Sequence, residues 1–333
     1  MELVKVNFVI DCSDSTLAEY INLKNENASS TFVRGDLNWC LQSYLILRKR
    51  NKTPITCSNQ LVKNCINIIH SDTLLILKGI SSHFIVCVRA DYPKRLWAHY
   101  HLVQNKNQVS SMAFYIPHWV QPNLIKRDTN KNSPFTVAYA GQPSNGNMAG
   151  TSDTWKRLLE PHNIRFEAIN AGSWHDLSSV DVLVGIRSFD KKEYNTKPPT
   201  KLFNAWHAWI PFVGGNDSAY KQVGTPGGDY LIATTPDEVL THILKLKSDP
   251  QFYNRIVNEG CKKASLYSEQ EISLCWENLL GGPILQRYKK WQKRKIYERF
   301  WFKLKLGMAL PEHRSKQFLK LILRRLKMFG FKE

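Results

Sequence analysis

Short apolar runs that need cover on both faces set the strongest limit on what this chain can fold into. In "VDVLVGIR", Val182 to Ile186 offers no polar face to water. A half-exposed strand would alternate, so this run belongs in a parallel sheet with helices on both sides. Similar segments recur between helical patterns. In the first part, "VKVNFVI", "TPITCSN", "NCINIIH" and "HFIVCVRADYP" read as strands. Residues 35–50 read as a helix, with Asp36 as a candidate cap. "FYIPHWVQPNLIKRD" is extended and proline-broken, as expected of a crossing between domains, and "TNKNSP" is a polar break.

The pattern then restarts. "FTVAYAG", "IRFEAIN", "VDVLVGIR" and "DYLIATT" read as strands. Residues 152–159 and "PDEVLTHILKLKSD" read as helices, the second capped by Thr235 with Pro236 in its first turn. The reading is an α/β protein of two Rossmann-like domains facing a cleft. Residues 1–130 form the first, 131–280 the second, and 281–333 a basic helical tail.

The 333 residues suffice for two cores. Seven scattered cysteines, odd in number and without a C-x-x-C pair, read as reduced thiols of a cytoplasmic protein, not as a disulfide frame or zinc site. The first residues alternate like a strand and lack the basic start and apolar run of a secretion signal. No window is long and apolar enough to predict a spanning helix. The formal net charge is +18, and from Gln286 onward 16 Lys and Arg face three Glu. Most of the basicity therefore belongs to the tail. From Ser315, "SKQFLKLILRRLKMFGF" sets Lys316, Lys320, Arg324 and Lys327 in one row and Phe318, Ile322, Leu326 and Phe329 in another. This suits an anionic membrane surface, so the expected location is cytoplasmic and peripheral on the inner face of the membrane. A helix folded back onto the first domain is the competing reading.

In open parallel sheets, ligands bind beyond the carboxyl ends of the strands. After "FTVAYA" come Gly141, Gln142, Ser144, Asn145 and Gly146, a small-residue loop whose backbone N–H groups suit a phosphate. After "VDVLVGI" comes Arg187, and the loop continues to Lys197 and Lys201. Arginine offers a fixed fork to phosphate oxygens and lysine a mobile point charge. Asn204, one turn beyond Lys201, has an amide suited to a ribose hydroxyl. Each feature also has an ordinary reading as a turn, a solvated charge or, for Trp206 and Trp209, a packing residue. Their convergence on one edge favours a binding site.

The segment "KPPTKLFNAWHAWIPFVGGNDSAYKQV" resembles the donor-binding segment of GT-B-fold glycosyltransferases. In the large retaining families of that fold, a Glu stands seven residues before the proline of "EAxAxGxP". Here Asn204 stands seven residues before Pro211, and Trp209 takes the usual glycine position. The segment is also similar to "TEKLxxALxxxxVPVxxG" of fucosyltransferases, with Thr200-Lys201-Leu202 in place of Glu-Lys-Leu. The resemblance implies that Lys201 contacts the donor diphosphate. "DPQFYNRIVNEGCKKASLYS" is similar to the helix that follows the donor site in many of these enzymes, and the likeness extends over residues 1–280.

The expected reaction is transfer of a sugar from a nucleotide-diphosphate sugar to a glycan or lipid-linked acceptor. A leaving diphosphate needs fixed positive charge. The chain contains no D-x-D metal motif, so Arg187 and Lys201 are expected to supply that charge without a metal or other cofactor. An inverting reaction also needs a base from the first domain. Asp91, past the end of "HFIVCVRA", is the candidate, with Asp11, Asp36 and His99 as rivals. Gly35, beside Asp36 on the acceptor-side loop, would let backbone approach the sugar. Stereochemical outcome, sugar and acceptor stay open. A catalytically inactive GT-B-like protein that binds a nucleotide or glycan is the alternative. A basic nucleic-acid-binding protein is a weaker one, because no nucleic-acid module is recognisable and no specific nucleic acid is expected as a partner.

Overall fold

The computed structural model describes residues 4–23, 31–50, 53–75, 77, 80–143, 146–295, 297–298, 300–308, 311 and 314–315. Among the described residues eleven strands form two sheets, and every strand pair within them is parallel. In the first sheet the order is β2 (Ile55–Ser58), β1 (Val6–Val9), β3 (Ile66–His70), β4 (Phe84–Val88), β5 (Tyr100–Val103) and β6 (Ala113–Tyr115). In the second it is β11 (Leu231–Ile232), β10 (Phe212–Gly214), β9 (Val182–Gly185), β7 (Thr136–Ala140) and β8 (Arg165–Ile169).

Both sheets are covered on both faces, as the continuous apolar runs require. Along β7, Val137 and Tyr139 join one core cluster while Ala138 and Ala140 join another. The period of two sends successive residues to opposite layers. In the first sheet Phe8, Ile68 and Val86 face one cluster, and Val9, Ile69 and Cys87 the other. Asn7 and Asn67 are buried polar exceptions in β1 and β3. Asn7 donates to the Asn67 side-chain oxygen at 3.1 Å, and Asn67 donates to Val62 O and Phe84 O. The pair thus cross-links strands without leaving orphaned amides.

The helices differ from expectation in informative places. The segment at 35–50 opens with one widened turn, Leu37–Leu41, before helix α2 (Gln42–Leu47). Asp36 caps nothing. Its carboxylate pairs with Arg34 at 2.9 Å and accepts the Asp11 N–H at 3.0 Å. Helix α4 (Ser152–Leu159) and helix α7 (Pro236–Ser248) lie where the sequence puts them, the latter with Thr235 accepting the Glu238 N–H. Strand β5 escaped sequence reading because its four residues follow a proline-broken loop.

The end of the chain requires a correction. After helix α8 (Pro250–Leu266), helices α9 (Glu269–Gly281) and α10 (Pro283–Gln292) return to the first sheet. Ile272, Trp276, Leu280, Ile284 and Tyr288 are buried in its core with Phe8 and Phe84. Thus α9, expected in the second domain, and α10, expected in the tail, both pack on the first because their apolar faces complete that core. The basic amphipathic row beginning at Lys316 lies outside the described residues.

Helix α5 (Thr200–Ala208) explains the departure at Trp209. That residue caps the helix in the left-handed region, φ 62° and ψ 40°, a conformation that favours glycine. Its exposed ring lies under the Lys126 ammonium, 3.7 Å from the centroid. Replacing Trp209 with Gly relieves the backbone but removes this contact, so little net change is expected. Trp209→Val retains the unfavourable φ with a β-branched side chain, and should fall below the Gly variant by about 1–2 kcal/mol. Denaturant unfolding of the two variants checks the difference.

Candidate active site

The carboxyl ends of the two sheets face a shared cleft of about 450 Å³. Of the residues singled out by sequence, Gly35, Asp91, Gly141, Gln142, Arg187, Lys197, Lys201 and Asn204 line it. Asn145 lies outside the described residues. Asp36 does not line the cleft, because its carboxylate is turned to Arg34 and the Asp11 backbone. His99 is also elsewhere, stacked with Phe84 and Phe302.

On the second domain, three cations converge. Arg187 follows β9 and is buried. Its Nε donates to Asp217 Oδ1 at 2.8 Å, and its Nη1 donates to Asn147 Oδ1 at 3.4 Å. This contact holds the guanidinium in place while leaving the rest of its fork at the cleft. Lys197 pairs with Asp91 across the cleft. Lys201 lies over the Tyr139 ring, 4.7 Å from its centroid, and has no carboxylate within ion-pair distance among the described residues. A Cβ on Gly141 would stand 3.0 Å from the Lys201 ammonium, so the bare glycine leaves room for that charge. Burial, reinforced by Arg187 and Lys197, pushes Lys201 down to about 7, with Asp217 partly opposing the shift.

Asn204 also has a structural task. Its side-chain oxygen accepts the backbone N–H of Gln121 at 3.0 Å, clipping helix α5 to the segment that connects the sheets. Its amide NH2 and the second lone pair of the oxygen are left for other partners.

The first domain presents Asp91 after Ala90, whose φ of 48° is unusual for a residue other than glycine. The resulting sharp turn beyond β4 sets Asp91 at the cleft. His70, at the end of β3, also lines the cleft and was not picked out by sequence. Its Nδ1 accepts the Asp72 N–H at 3.3 Å, so the neutral ring carries its proton on Nε2. Gly35 abuts this ring. A Cβ there would stand 2.4 Å from His70 Cε1, so only glycine fits. The signal for His70 was its strand-end position, the same rule that selected Asp91. Trp174, beyond β8, lines the cleft with its indole N–H donating to Ile169 O at 3.0 Å. Asp217 follows β10 and was likewise missed, because its role depends on the side chain of Arg187.

No family model matches this chain, and no curated protein matches it in sequence. Among solved structures, Anabaena HepE in complex with UDP and glucose is similar, with a TM-score of 0.53 and 10% identity over 85% of this chain and 100% of that one. HepE in complex with UDP-glucose gives 0.52 and 11% over 83% and 99%. The fold is GT-B. The expectation of two Rossmann-like units facing a cleft is therefore borne out.

The lowered Lys201 pKa gives a signed prediction. An anion in the cleft favours the charged ammonium and draws its pKa back up. Below pH 7 the lysine is already protonated, while above it binding must take up a proton. Affinity for an anion bound in the cleft should therefore fall between pH 7 and 9, by up to about tenfold per unit, and the slope should vanish in Lys201→Arg. Calorimetry across that range checks both effects.

Proposed function

We propose that this protein is a glycosyltransferase that uses a nucleotide-diphosphate sugar and transfers the sugar without a metal ion. The observation that carries the reading is Lys201, a lysine without a carboxylate partner among the described residues, beside two further cations at the carboxyl edge of a parallel sheet. Such a cluster suits a diphosphate, whose negative charge grows as the sugar leaves. Lys201, Lys197 and the remaining fork of Arg187 hold the phosphate oxygens. The backbone N–H of Gln142 adds a directional donor, and Trp174 offers a face on which the base can stack. The UDP and UDP-glucose in the HepE structures support a uridine diphosphate sugar as the first donor to try.

Catalysis then turns on Asp91. Before donor binding, its carboxylate neutralises Lys197. A diphosphate competes for Lys197, releasing Asp91 to take the proton of an acceptor hydroxyl. His70 lines the same side of the cleft, beside Gly35. The acceptor in this reading is a glycan or lipid-linked saccharide, and the basic C-terminal region keeps the protein at a membrane that carries it. No helix among the described residues is long and apolar enough to cross a membrane.

Asn204 supports a second reading, a GT-B protein that binds a nucleotide or glycan without turnover. An amide stands where the retaining families place Glu, and its oxygen is committed to Gln121. Donor hydrolysis and transfer assays with UDP-sugars, run beside calorimetry, separate the two. Lys201→Ala should weaken UDP binding by about one to two decades, since a charge-assisted hydrogen bond contributes roughly 1.5–3 kcal/mol. Asp91→Asn should retain binding and lose turnover. Binding with no turnover of any donor by the unaltered protein would favour the second reading, and unchanged affinity in Lys201→Ala would remove that residue from the site.

A further inference from the structure

A second cavity, of about 340 Å³, lies where the C-terminal segment meets the first sheet, and it shares no lining residue with the cleft. Its aromatic wall is formed by Phe84, His99, Trp291 and Phe302. His99 stacks with Phe84 at 5.0 Å and with Phe302 at 4.3 Å between centroids. Its charged wall is formed by Arg287, Lys290, Arg294 and Lys305, against one carboxylate, Glu298. That carboxylate already accepts the Lys295 N–H at 3.0 Å.

Two donors in this wall lack an acceptor. His99 Nδ1 accepts the Ile85 N–H at 3.1 Å, so the proton of the neutral ring is on Nε2. That atom and Trp291 Nε1 are sealed from solvent with no hydrogen-bond partner among the described residues. Buried donors are normally satisfied. Arg287 already donates to Tyr100 Oη at 3.2 Å and to Ser111 O at 2.9 Å, but the two idle N–H groups and the charges of Lys290 and Lys305 suit oxygen acceptors and negative charge, both of which a phosphate supplies. Burial first, and then Arg294 and Lys305 nearby, hold His99 down to about 3.

The adjoining helical residues 300–308 carry a second, independent observation. Phe300, Trp301, Leu304 and Met308 are exposed, Met308 by 70%. At these spacings they fall on one helix face, with Lys303 interleaved. An apolar stripe with an aromatic ring and flanking cations suits the headgroup boundary of a bilayer.

We propose that this cavity receives the phosphate headgroup of an anionic membrane lipid while the Phe300, Trp301, Leu304 and Met308 face lies in the bilayer surface. The site commits the protein to a lipid phosphodiester, whose charge meets the cations and whose glyceryl and upper acyl carbons meet Phe84, Trp291 and Phe302. The proposal is independent of the donor cleft.

The test uses the full chain with two probes. One is water-soluble dihexanoyl phosphatidylglycerol, titrated calorimetrically beside inorganic phosphate. The other is phosphatidylcholine vesicles with and without phosphatidylglycerol, in co-sedimentation. The short-chain lipid should bind, and Lys290→Ala and Lys305→Ala should each weaken it about fivefold. Lys156→Ala, on α4 in the other domain, should not. Trp301→Ser should reduce vesicle binding and leave the short-chain lipid's affinity intact. Inorganic phosphate binding as tightly as the lipid would mark a free-anion site and overturn the lipid assignment. Equal losses from Lys156→Ala would mark diffuse charge and overturn the cavity. Absence of short-chain lipid binding would overturn it too. UDP affinity, measured on the same samples, reports on the donor cleft separately.

Discussion

Parallel pairing is the constraint from which the rest follows. Two strands running the same way cannot be joined by a tight hairpin, so the chain must leave each carboxyl end, cross the sheet, and begin again at the other edge. Every crossing starts from the same side. The loops that begin at Ala90, Gly141, Arg187 and Gly215 therefore gather along the open edges of their sheets, although 125 positions separate the first from the last. Core residues cannot occupy those loops, since the strands end there. The polar groups that accumulate are free to do chemistry, at the energetic cost of crowding like charges in a partly desolvated space.

That crowding is relieved pairwise, and only in part. Asp217 answers Arg187 from within the same domain, whereas Asp91 answers Lys197 from the opposite one. Further polar contacts join the two sides of the cleft. Asn105 donates to Ser218 Oγ at 2.8 Å, the Gln222 amide donates back to Asn105 at 2.9 Å, and Asn107 donates to Asn195 at 2.7 Å. Neutral amide pairs of this kind contribute modestly, about 0.5–1.5 kcal/mol each. The domains are thus drawn together by interactions weak enough to exchange for ligand contacts.

Fold and site were legible in the sequence to different degrees, for physical reasons. Strands such as β7 and β9 could be read because burial on both faces leaves almost wholly apolar runs, with Thr136 at the start of β7 the exception. The cations at 187, 197 and 201 could be read because a strand end fixes where the following residues go. Contacts that join distant parts of the chain were not legible. Nothing local to Asn204 announces that its amide oxygen takes the Gln121 N–H, and nothing local to Asp36 announces the Asp11 backbone. His70 was a different failure, since its position carried the signal and the rule was applied to Asp91 instead. The packing of α9 and α10 on the first sheet was not read, because the contacts that place Trp276 and Tyr288 in its core join distant parts of the chain.

The return of α9 and α10 bears on how the molecule comes into being. The first sheet borrows Trp276 and Tyr288 for its core, and on a ribosome those side chains emerge only after the whole second domain has been made. An N-terminal half that would ordinarily fold as the chain appears must wait, with Phe8 and Phe84 partly uncovered. The second domain, whose two clusters draw on a compact stretch of sequence, can close first. Synthesis order and folding order are then reversed. The newborn first sheet is the part of the molecule most in need of a chaperone, and the basic C-terminal segment arrives only when that need ends.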